Sequence, residues 1–277
     1  MARSIGIHIR LHNGLLDILP VIEQLQINVA QSFLMTESNK YISLSDKVID
    51  EFVRAKQKQP FLYYVHAAYW SGLTDSSSKM FVSLAKETEI AQRLQSDGIV
   101  IHSGTTRSSS SLKRDHLLRV VDSINQLNHA YPNIRLLLEN TPHAGKSFGG
   151  NLEDFSMIME RVEKKALVGF CVDTAHAFVY GYDIFHEKGR TEFIKLVKEA
   201  LGSEHITLLH LNDSQDRCGS YIDKHEVPGD GLIGHQALAA VMNDSLFKNV
   251  PIILELPGSC TKKDEEVLKL VRSWQDV

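Results

Sequence analysis

The chain has 277 residues, of which 43% are apolar and 23% are charged, a balance typical of a soluble globular protein of enzyme size. Its formal net charge of −4 excludes a protein that holds nucleic acid by bulk positive charge. This charge does not exclude a metal-dependent enzyme that acts on nucleic acids, because bound divalent ions place positive charge where a phosphate must sit. No apolar segment approaches the roughly 18 residues of a membrane span.

The cysteines Cys171, Cys218 and Cys260 are odd in number and show no CxxC spacing. This pattern predicts free thiols in a reducing compartment rather than a disulfide framework. The residues after Met1 lead directly into a short apolar segment and lack the pattern of a signal peptide. We therefore expect a cytoplasmic protein, associated with the nucleoid if it acts on DNA.

Eight short apolar segments predict β-strands, and each is almost continuously apolar, as strands buried on both faces are. A stretch with helical periodicity follows each of these strands. The predicted strands span residues 4–9, 28–35, 61–66, 98–102, 135–139, 168–173, 206–210 and 251–255.

The predicted helices have recognisable ends and apolar faces. Asn151 is the predicted N-cap of the helix after the fifth strand, and Gly202 is the predicted stop of the helix after the sixth. The first helical stripe contains Leu15, Ile18, Leu19, Ile22 and Leu25, and the last contains Val267, Leu270, Val271 and Trp274.

Strict alternation of strand and helix predicts parallel strands joined by right-handed crossovers. Eight such units close into a (β/α)₈ TIM barrel of the α/β class, and residues 1–277 are predicted to form one domain. An open, doubly wound sheet is the alternative, but no glycine-rich phosphate loop follows the first strand.

Metal-capable side chains stand at the ends of six consecutive predicted strands. Strand ends converge on one mouth of a barrel, so residues remote in sequence become neighbours there. One such residue alone is ordinarily a cap, a salt bridge or a satisfied core histidine, but six in succession indicate a cluster. The six are His66, His102, Glu139, Asp173, His210 and Glu255.

Three further candidates lie in the loops next to these strand ends, and they are His176, Asp223 and His225. Asp-x-His presents a carboxylate oxygen and an imidazole nitrogen two residues apart, and both suit zinc. Several carboxylates side by side in a partly dry pocket are costly without a counter-charge, which metal ions supply. His8 faces the same mouth, whereas loops or polar helix faces are predicted for His12, His116, His129, His143, His186, His205 and His235.

At several of these positions the sequence resembles the endonuclease IV family of apurinic/apyrimidinic endonucleases (AP endonuclease family 2). The resemblance covers nearly the whole chain. It lies in Ile5-Gly6-Ile7-His8, His66-Ala67-Ala68-Tyr69, the segment from Asp97 to Gly104, Leu138-Glu139-Asn140-Thr141, the segment from Val168 to His176, the segment from His210 to Ser214, Asp223-Lys224-His225 and Ile252-Ile253-Leu254-Glu255.

The resemblance implies a barrel with three zinc ions that hydrolyses the phosphodiester 5′ to abasic sites in duplex DNA. It implies that Glu139 bridges two of the ions and that Glu255 orients the nucleophile as well as binding metal. One ion would be held by His66, His102 and Glu139, the second by Glu139, Asp173, His210 and Glu255, and the third by His176, Asp223 and His225.

An acidic protein needs local cations to grip DNA, and the predicted mouth loops carry several. The aromatic pair Tyr69-Trp70 is expected to press into the gap left by a missing base, with packing on the barrel rim as the alternative, above all for Trp70. Residues 35–42 lack the Asn-Pro-Arg-x-Trp pattern typical of the family and offer Tyr41 and a lysine instead. No obligatory protein partner is inferred and a monomer is expected; the predicted cationic DNA contacts are Lys40, Arg107, Lys146 and Lys224.

Two other functions stay open. A single-metal sugar isomerase or epimerase on the same barrel would need only Glu139, Asp173, His210 and Glu255, and the other five candidate ligands argue against it. A non-catalytic DNA- or partner-binding protein that keeps the barrel would be favoured by the loss of a ligand, and no ligand is lost.

Overall fold

The computed structural model describes residues 3–35, 41–73, 77–103, 113–143, 148–258 and 263–275, with only the backbone at 113 and 114. The described residues form ten strands: β1 (Ile5–His8), β2 (Val29–Phe33), β3 (Leu62–His66), β4 (Gly98–His102), β5 (Leu136–Glu139), β6 (Val168–Asp173), β7 (Ile206–His210), β8 (Asp213–Ser214), β9 (His225–Glu226) and β10 (Ile252–Leu254). Eight of them are parallel and close into a barrel in the order β1-β10-β7-β6-β5-β4-β3-β2, which confirms the predicted fold.

The strands β8 and β9 form a small antiparallel pair outside the barrel, with Ser214 opposite His225. The helices are α1 (Ile18–Leu25), α2 (Asp46–Lys58), α3 (Lys79–Arg93), α4 (Lys113–Ala130), α5 (Glu153–Met159), α6 (Thr174–Tyr180), α7 (Glu187–Leu201), α8 (Gly234–Asn243) and α9 (Asp264–Arg272). Within the described ranges no helix is long and apolar enough to cross a membrane.

Some predicted strand bounds are too long. The last barrel strand ends at Leu254, because the backbone N–H of Glu255 donates to Asn212 Oδ1 at 2.8 Å instead of joining the ladder. The second strand ends at Phe33, and Met35 makes an isolated antiparallel bridge with Tyr41.

Three helix predictions also need correction. Helix α5 begins at Glu153, and Asn151 Oδ1 accepts the Glu153 N–H at 3.2 Å from one position outside the cap. In α9 Val267 and Val271 are buried as predicted, but the third buried residue is Leu268, whereas Leu270 is exposed. His116 lies on the buried face of α4 and not on a polar face, with 3% of its surface exposed. The predicted stop at Gly202 is confirmed, because α7 is capped there with a φ of 75°.

The barrel interior is built in layers because alternate residues of a strand face inward. A closed apolar layer contains Val29, Tyr64, Val100, Leu137, Cys171, Leu208 and Ile253. The glycines Gly98 and Gly169 make room for Leu137, since a Cβ at either position would lie within 2.9 Å of its methyl groups. Two residues further along each strand, toward the mouth, the layer becomes polar: Gln31, His66, His102, Glu139, Asp173, His210 and Glu255.

Candidate metal centre

Glu139 lies at the centre of the polar layer, fully buried at the end of β5. Its Oε2 atom lies 3.1 Å from His66 Nε2 and 2.9 Å from His102 Nε2. Its Oε1 atom faces the other way and lies 3.0 Å from His210 Nδ1. The strand register produces part of this arrangement, because His102 and Glu139 are direct partners across β4 and β5. One carboxylate therefore faces two separate groups of ligands.

A second group surrounds the Oε1 side of Glu139. His210 Nδ1 lies 3.7 Å from Asp173 Oδ2 and 3.6 Å from Glu255 Oε2. Asp173 and His210 are direct partners across β6 and β7, which brings their side chains together at the mouth. One ligand atom from each of Glu139, Asp173, His210 and Glu255 lies within 4.8 Å of all the others, so these four could hold a metal ion.

The third group combines the start of α6 with the loop before β9. Asp223 contacts both histidines of this group, with Oδ2 at 3.3 Å from His176 Nε2 and Oδ1 at 3.2 Å from His225 Nε2. Asp173 Oδ1 caps α6 by accepting the backbone N–H of His176 at 2.7 Å. Asp173, His176 and His225 also offer ligand atoms within 4.8 Å of one another. All nine sequence-predicted ligands thus lie in one cluster.

The donor set and its spacing fit zinc. Tetrahedral ligands about 2.1 Å from a zinc ion lie about 3.4 Å from one another. The closest contacts within the groups, 2.9 to 3.3 Å, come near this spacing. The buried Nε2 atoms of His102 and His225 lie close to carboxylates without forming a hydrogen bond to any described group. Nitrogen atoms placed in this way face a shared point between ligands rather than a hydrogen-bond acceptor.

Backbone carbonyl groups fix the tautomers of two histidines. His66 Nδ1 lies 2.9 Å from the carbonyl of Ala67, and His176 Nδ1 lies 2.8 Å from the carbonyl of Asn140. A carbonyl only accepts, so Nδ1 carries the proton in both rings. The Nε2 lone pairs then face Glu139 and Asp223, as metal ligation requires.

The electrostatics of the cluster are those of a site that exchanges protons for metal. Burial would raise the pKa of the Glu139 carboxyl, but His102 and His210 outweigh it and hold that pKa well below its usual range. Burial would lower the pKa of His225, but the neighbouring carboxylates of Asp223 and Asp173 raise that pKa to about 9. A histidine must lose its proton to bind metal, so metal uptake releases protons here.

Comparisons with known proteins agree with this site. A sequence model of the family described as "Xylose isomerase-like TIM barrel" matches residues 25–276. "Probable endonuclease 4" of Halothermothrix orenii is 30% identical over 278 residues, covering 97% of this chain and 99% of the relative. The chain belongs to the endonuclease IV family of apurinic/apyrimidinic endonucleases.

Two more members of this family are similar over most of the chain. "Apurinic-apyrimidinic endonuclease" of Caenorhabditis elegans is 29% identical over 278 residues, which cover 96% of this chain and 69% of the relative. The crystal structure of endonuclease IV from Thermus thermophilus superimposes with a TM-score of 0.83 at 25% identity, covering 98% of both chains.

A pocket opens above the ligands of this endonuclease IV family member, with a volume of about 490 Å³. Its polar lining residues include Asp223, His225 and Glu255. Its apolar lining residues include Phe33, Met35, Tyr69 and Leu256. The pocket is larger than metal binding alone requires, and this mixed lining suits a ligand with both charged and apolar parts.

Tyr69 lies at the rim of this pocket with 71% of its surface exposed. Its ring centre is 5.3 Å from that of Phe33 and 6.2 Å from that of His102. Trp70 instead packs edge-on against Tyr41, and its indole N–H donates to Tyr41 Oη at 3.1 Å. Among the described residues, Tyr69 therefore presents the most exposed aromatic ring at the mouth.

Of the four predicted cationic contacts with DNA, one lies within the described residues. Lys224 is exposed between Asp223 and His225. Lys40, Arg107 and Lys146 lie outside the described residues. The sequence did not single out Arg10, which lines the pocket and donates from Nη2 to the Leu256 carbonyl at 2.8 Å.

Amide side chains that hold the ligands were also missed. Asn212 Nδ2 donates to Asp173 Oδ2 at 2.6 Å and to Glu255 Oε2 at 3.2 Å. Gln31, which is fully buried, donates from Nε2 to Glu255 Oε1 at 2.8 Å. A polar residue within an otherwise apolar strand was the available signal for Gln31.

Proposed function

We propose that this chain is a zinc-dependent apurinic/apyrimidinic endonuclease that acts in base excision repair. It hydrolyses the phosphodiester 5′ to an abasic site in duplex DNA and leaves a 3′-hydroxyl. The observation that carries the proposal is Glu139, whose two oxygens face His66 with His102 on one side and His210 on the other. A carboxylate placed in this way can bridge two metal ions.

Three zinc ions per chain follow from the three groups of ligands. Bound zinc supplies positive charge to a phosphate and lowers the pKa of a water molecule to about 7. The first ion would be held by His66, His102 and Glu139; the second by Glu139, Asp173, His210 and Glu255; the third by His176, Asp223 and His225.

Glu255 is the carboxylate that orients the attacking water. Burial would raise its pKa, but the charge of His210 holds that pKa well below the usual range, so Glu255 stays ionised. Gln31 and Asn212 donate to its two oxygens at 2.8 and 3.2 Å and fix its plane. Glu255 would thus act through position and charge, and Glu139 would be shared by two of the metal sites.

The pocket beside the ligands receives the abasic nucleotide. Its lining includes the candidate metal ligands Asp223, His225 and Glu255 as well as the aromatic ring of Tyr69. An abasic site is cheap to deform because it lacks the stacking of a base, and an aromatic side chain can fill the gap. Exposed Lys224, together with Lys40, Arg107 and Lys146, supplies cations for the phosphates on either side.

A single-metal sugar epimerase is the second candidate, because Glu139, Asp173, His210 and Glu255 alone form a complete group of ligands. Such an enzyme has no use for the additional ligands. Here His66 and His102 converge on the far oxygen of Glu139, and Asp223 contacts two further histidines at 3.2 and 3.3 Å. These convergent contacts favour the nuclease.

The test is cleavage of an end-labelled duplex that carries one abasic-site analogue. The zinc-loaded protein is expected to cut 5′ to the analogue and to leave an end that a DNA polymerase extends. The intact duplex should stay uncut, chelator should stop cleavage, and zinc should restore it. Glu255→Gln, purified in parallel, is the control for a contaminating nuclease. No cleavage by protein with its full zinc content would overturn the proposal.

A further inference from the structure

Gln31 is a buried amide in β2 that contacts three side chains of the polar layer. None of its surface is exposed. Its Nε2 atom lies 2.8 Å from Glu255 Oε1 and 3.0 Å from His8 Nδ1. Its Oε1 atom lies 3.0 Å from His210 Nε2. Gln31 therefore links strands β1, β7 and β10 at the level of the candidate metal ligands.

The contact with Glu255 determines how the amide is oriented. An ionised carboxylate only accepts hydrogen bonds, so the NH₂ group of Gln31 must face Glu255. The amide oxygen then faces His210 Nε2, which must carry a proton in order to donate. The lone pair of His210 consequently lies on Nδ1, which faces Glu139 Oε1 at 3.0 Å and Glu255 Oε2 at 3.6 Å.

His210 differs in this respect from two other histidines of the cluster. The Nδ1 protons of His66 and His176 are held by the backbone carbonyls of Ala67 and Asn140. For His210 the corresponding acceptor is a side chain, and it can be replaced without changing the backbone.

We propose that Gln31 is a positioning residue that sets the metal-binding tautomer of His210 and holds Glu255 with Oε2 toward the metal. This inference builds on the proposed zinc site, and it adds a residue that touches neither metal nor DNA. The second N–H of Gln31 donates to His8 Nδ1, so His8 completes the same hydrogen-bonded chain behind the ligands.

The test compares Gln31→Met with Ser32→Ala. Methionine has a similar length but offers no amide, so it removes all three contacts with little change in volume. Ser32 is the next residue of the same strand, is also fully buried, and bonds Tyr63 Oη at 2.8 Å on the opposite face of β2. Ser32→Ala therefore reports the cost of losing a buried hydrogen bond in β2 without touching the cluster.

Zinc affinity is measured by competition with a chelator, in the absence of DNA. Gln31→Met is expected to weaken it about 10- to 100-fold, as for other residues that orient metal ligands. Ser32→Ala should leave the affinity within about twofold of the wild type, although both variants lower the melting temperature. Equal zinc affinity in Gln31→Met and the wild type would overturn the inference.

Nitrogen-15 NMR of the zinc-loaded protein supplies a second readout. The wild type should show His210 bound through Nδ1, with a slowly exchanging Nε2 proton. Gln31→Glu keeps an acceptor for that proton and should retain the signal, and this variant decides the matter if Gln31→Met does not fold. Loss of the signal in Gln31→Glu would contradict the inference. Because neither measurement uses DNA, a zinc-binding protein that cuts no abasic duplex would refute the proposed function alone.

Discussion

Asn212 holds Glu255 from two directions. Asn212 Oδ1 accepts the backbone N–H of Glu255 at 2.8 Å, and its Nδ2 donates to Glu255 Oε2 at 3.2 Å. This pair ends β10 at the mouth of the barrel and fixes the carboxylate beside His210. A side chain that is held so firmly and stays ionised is suited to orienting a nucleophile rather than to exchanging protons during turnover.

Glu255→Gln should separate the charge of this residue from its shape. The amide keeps the size and one oxygen but loses the charge that orients the water. We expect single-turnover cleavage to fall about 10²- to 10⁴-fold, with binding of abasic duplex largely kept. Glu139→Gln is the matched comparison and should lose zinc as well, because it weakens two groups of ligands. A near-normal cleavage rate in Glu255→Gln would place the nucleophile elsewhere.

Asp213 anchors the loop that follows β9. Its buried carboxylate accepts the backbone N–H groups of Ser214, Gly229, Gly231, Ile233 and Gly234 at 2.8 to 3.3 Å. A Cβ at position 231 would lie 2.5 Å from Asp213 Oδ1, so glycine permits this close approach. The segment between Asp213 and this loop includes two candidate ligands, Asp223 and His225.

Asp213→Asn should therefore weaken both the fold and the third group of ligands. The variant replaces one acceptor by a donor facing N–H groups, and we expect the free energy of unfolding to fall by about 2 to 4 kcal/mol. Urea denaturation measures this effect, and zinc content should fall with it. Asp216→Asn makes the same charge change at a half-buried site nearby and serves as the control. Equal denaturation midpoints would contradict the anchoring role.

Particular residues show what the sequence predicts well. The clustering of the six candidate ligands at strand ends could be predicted because parallel strands bring their ends to one mouth whatever the loops do. Asp173 and His210 are predicted neighbours for this reason, and they are direct partners in the barrel. The contacts of Gln31, by contrast, depend on the close approach of β1, β7 and β10 around one amide, which no local pattern specifies.

The errors have similar physical causes. A loop or a polar helix face is predicted for His116, yet its ring packs 4.8 Å from that of Phe148. The strand bounds were too long because hydrophobicity continues beyond the last ladder hydrogen bond, as at Met35. In both cases a tertiary contact decides the outcome.

His116 leads to a prediction about pH. Burial, together with the charge of Arg119, lowers the pKa of His116 to about 4. In the unfolded chain the imidazole of His116 is protonated near pH 6.5, whereas in the folded protein it stays neutral until about pH 4. The free energy of unfolding that is present above pH 6.5 is therefore lost as the pH falls toward 4. His116→Leu removes the effect and should gain stability relative to the wild type over this range. Melting temperatures of the two proteins are measured as a function of pH. The two curves would run parallel if His116 did not contribute to the pH dependence of stability, since the other titrating groups are common to both proteins.

Tyr69 leads to a prediction about damage recognition. Its ring is exposed at the pocket rim, whereas Trp70 packs on Tyr41. Tyr69→Ala should weaken binding to abasic duplex by about 1 to 3 kcal/mol, the usual value of an aromatic contact with nucleic acid, and should affect intact duplex less. Titration of both duplexes at one salt concentration measures this difference.

The controls for Tyr69→Ala are variants that remove a positive charge. Arg107→Ala and Lys146→Ala are expected to weaken both duplexes alike and to flatten the salt dependence. Equal losses on the two duplexes for Tyr69→Ala would show that lesion sensing lies elsewhere, with residues 35–42 the next candidates.

The most direct test is the number of zinc ions that a metal-free chain takes up. Zinc is added in steps, and bound metal, melting temperature and cleavage of the abasic duplex are followed together. We expect about three ions per chain, because nine ligands form three groups, and a melting temperature that rises with loading. Cleavage should return only as the groups fill. Saturation at one tightly bound ion, with an unchanged melting temperature thereafter, would contradict the nuclease and favour the sugar epimerase.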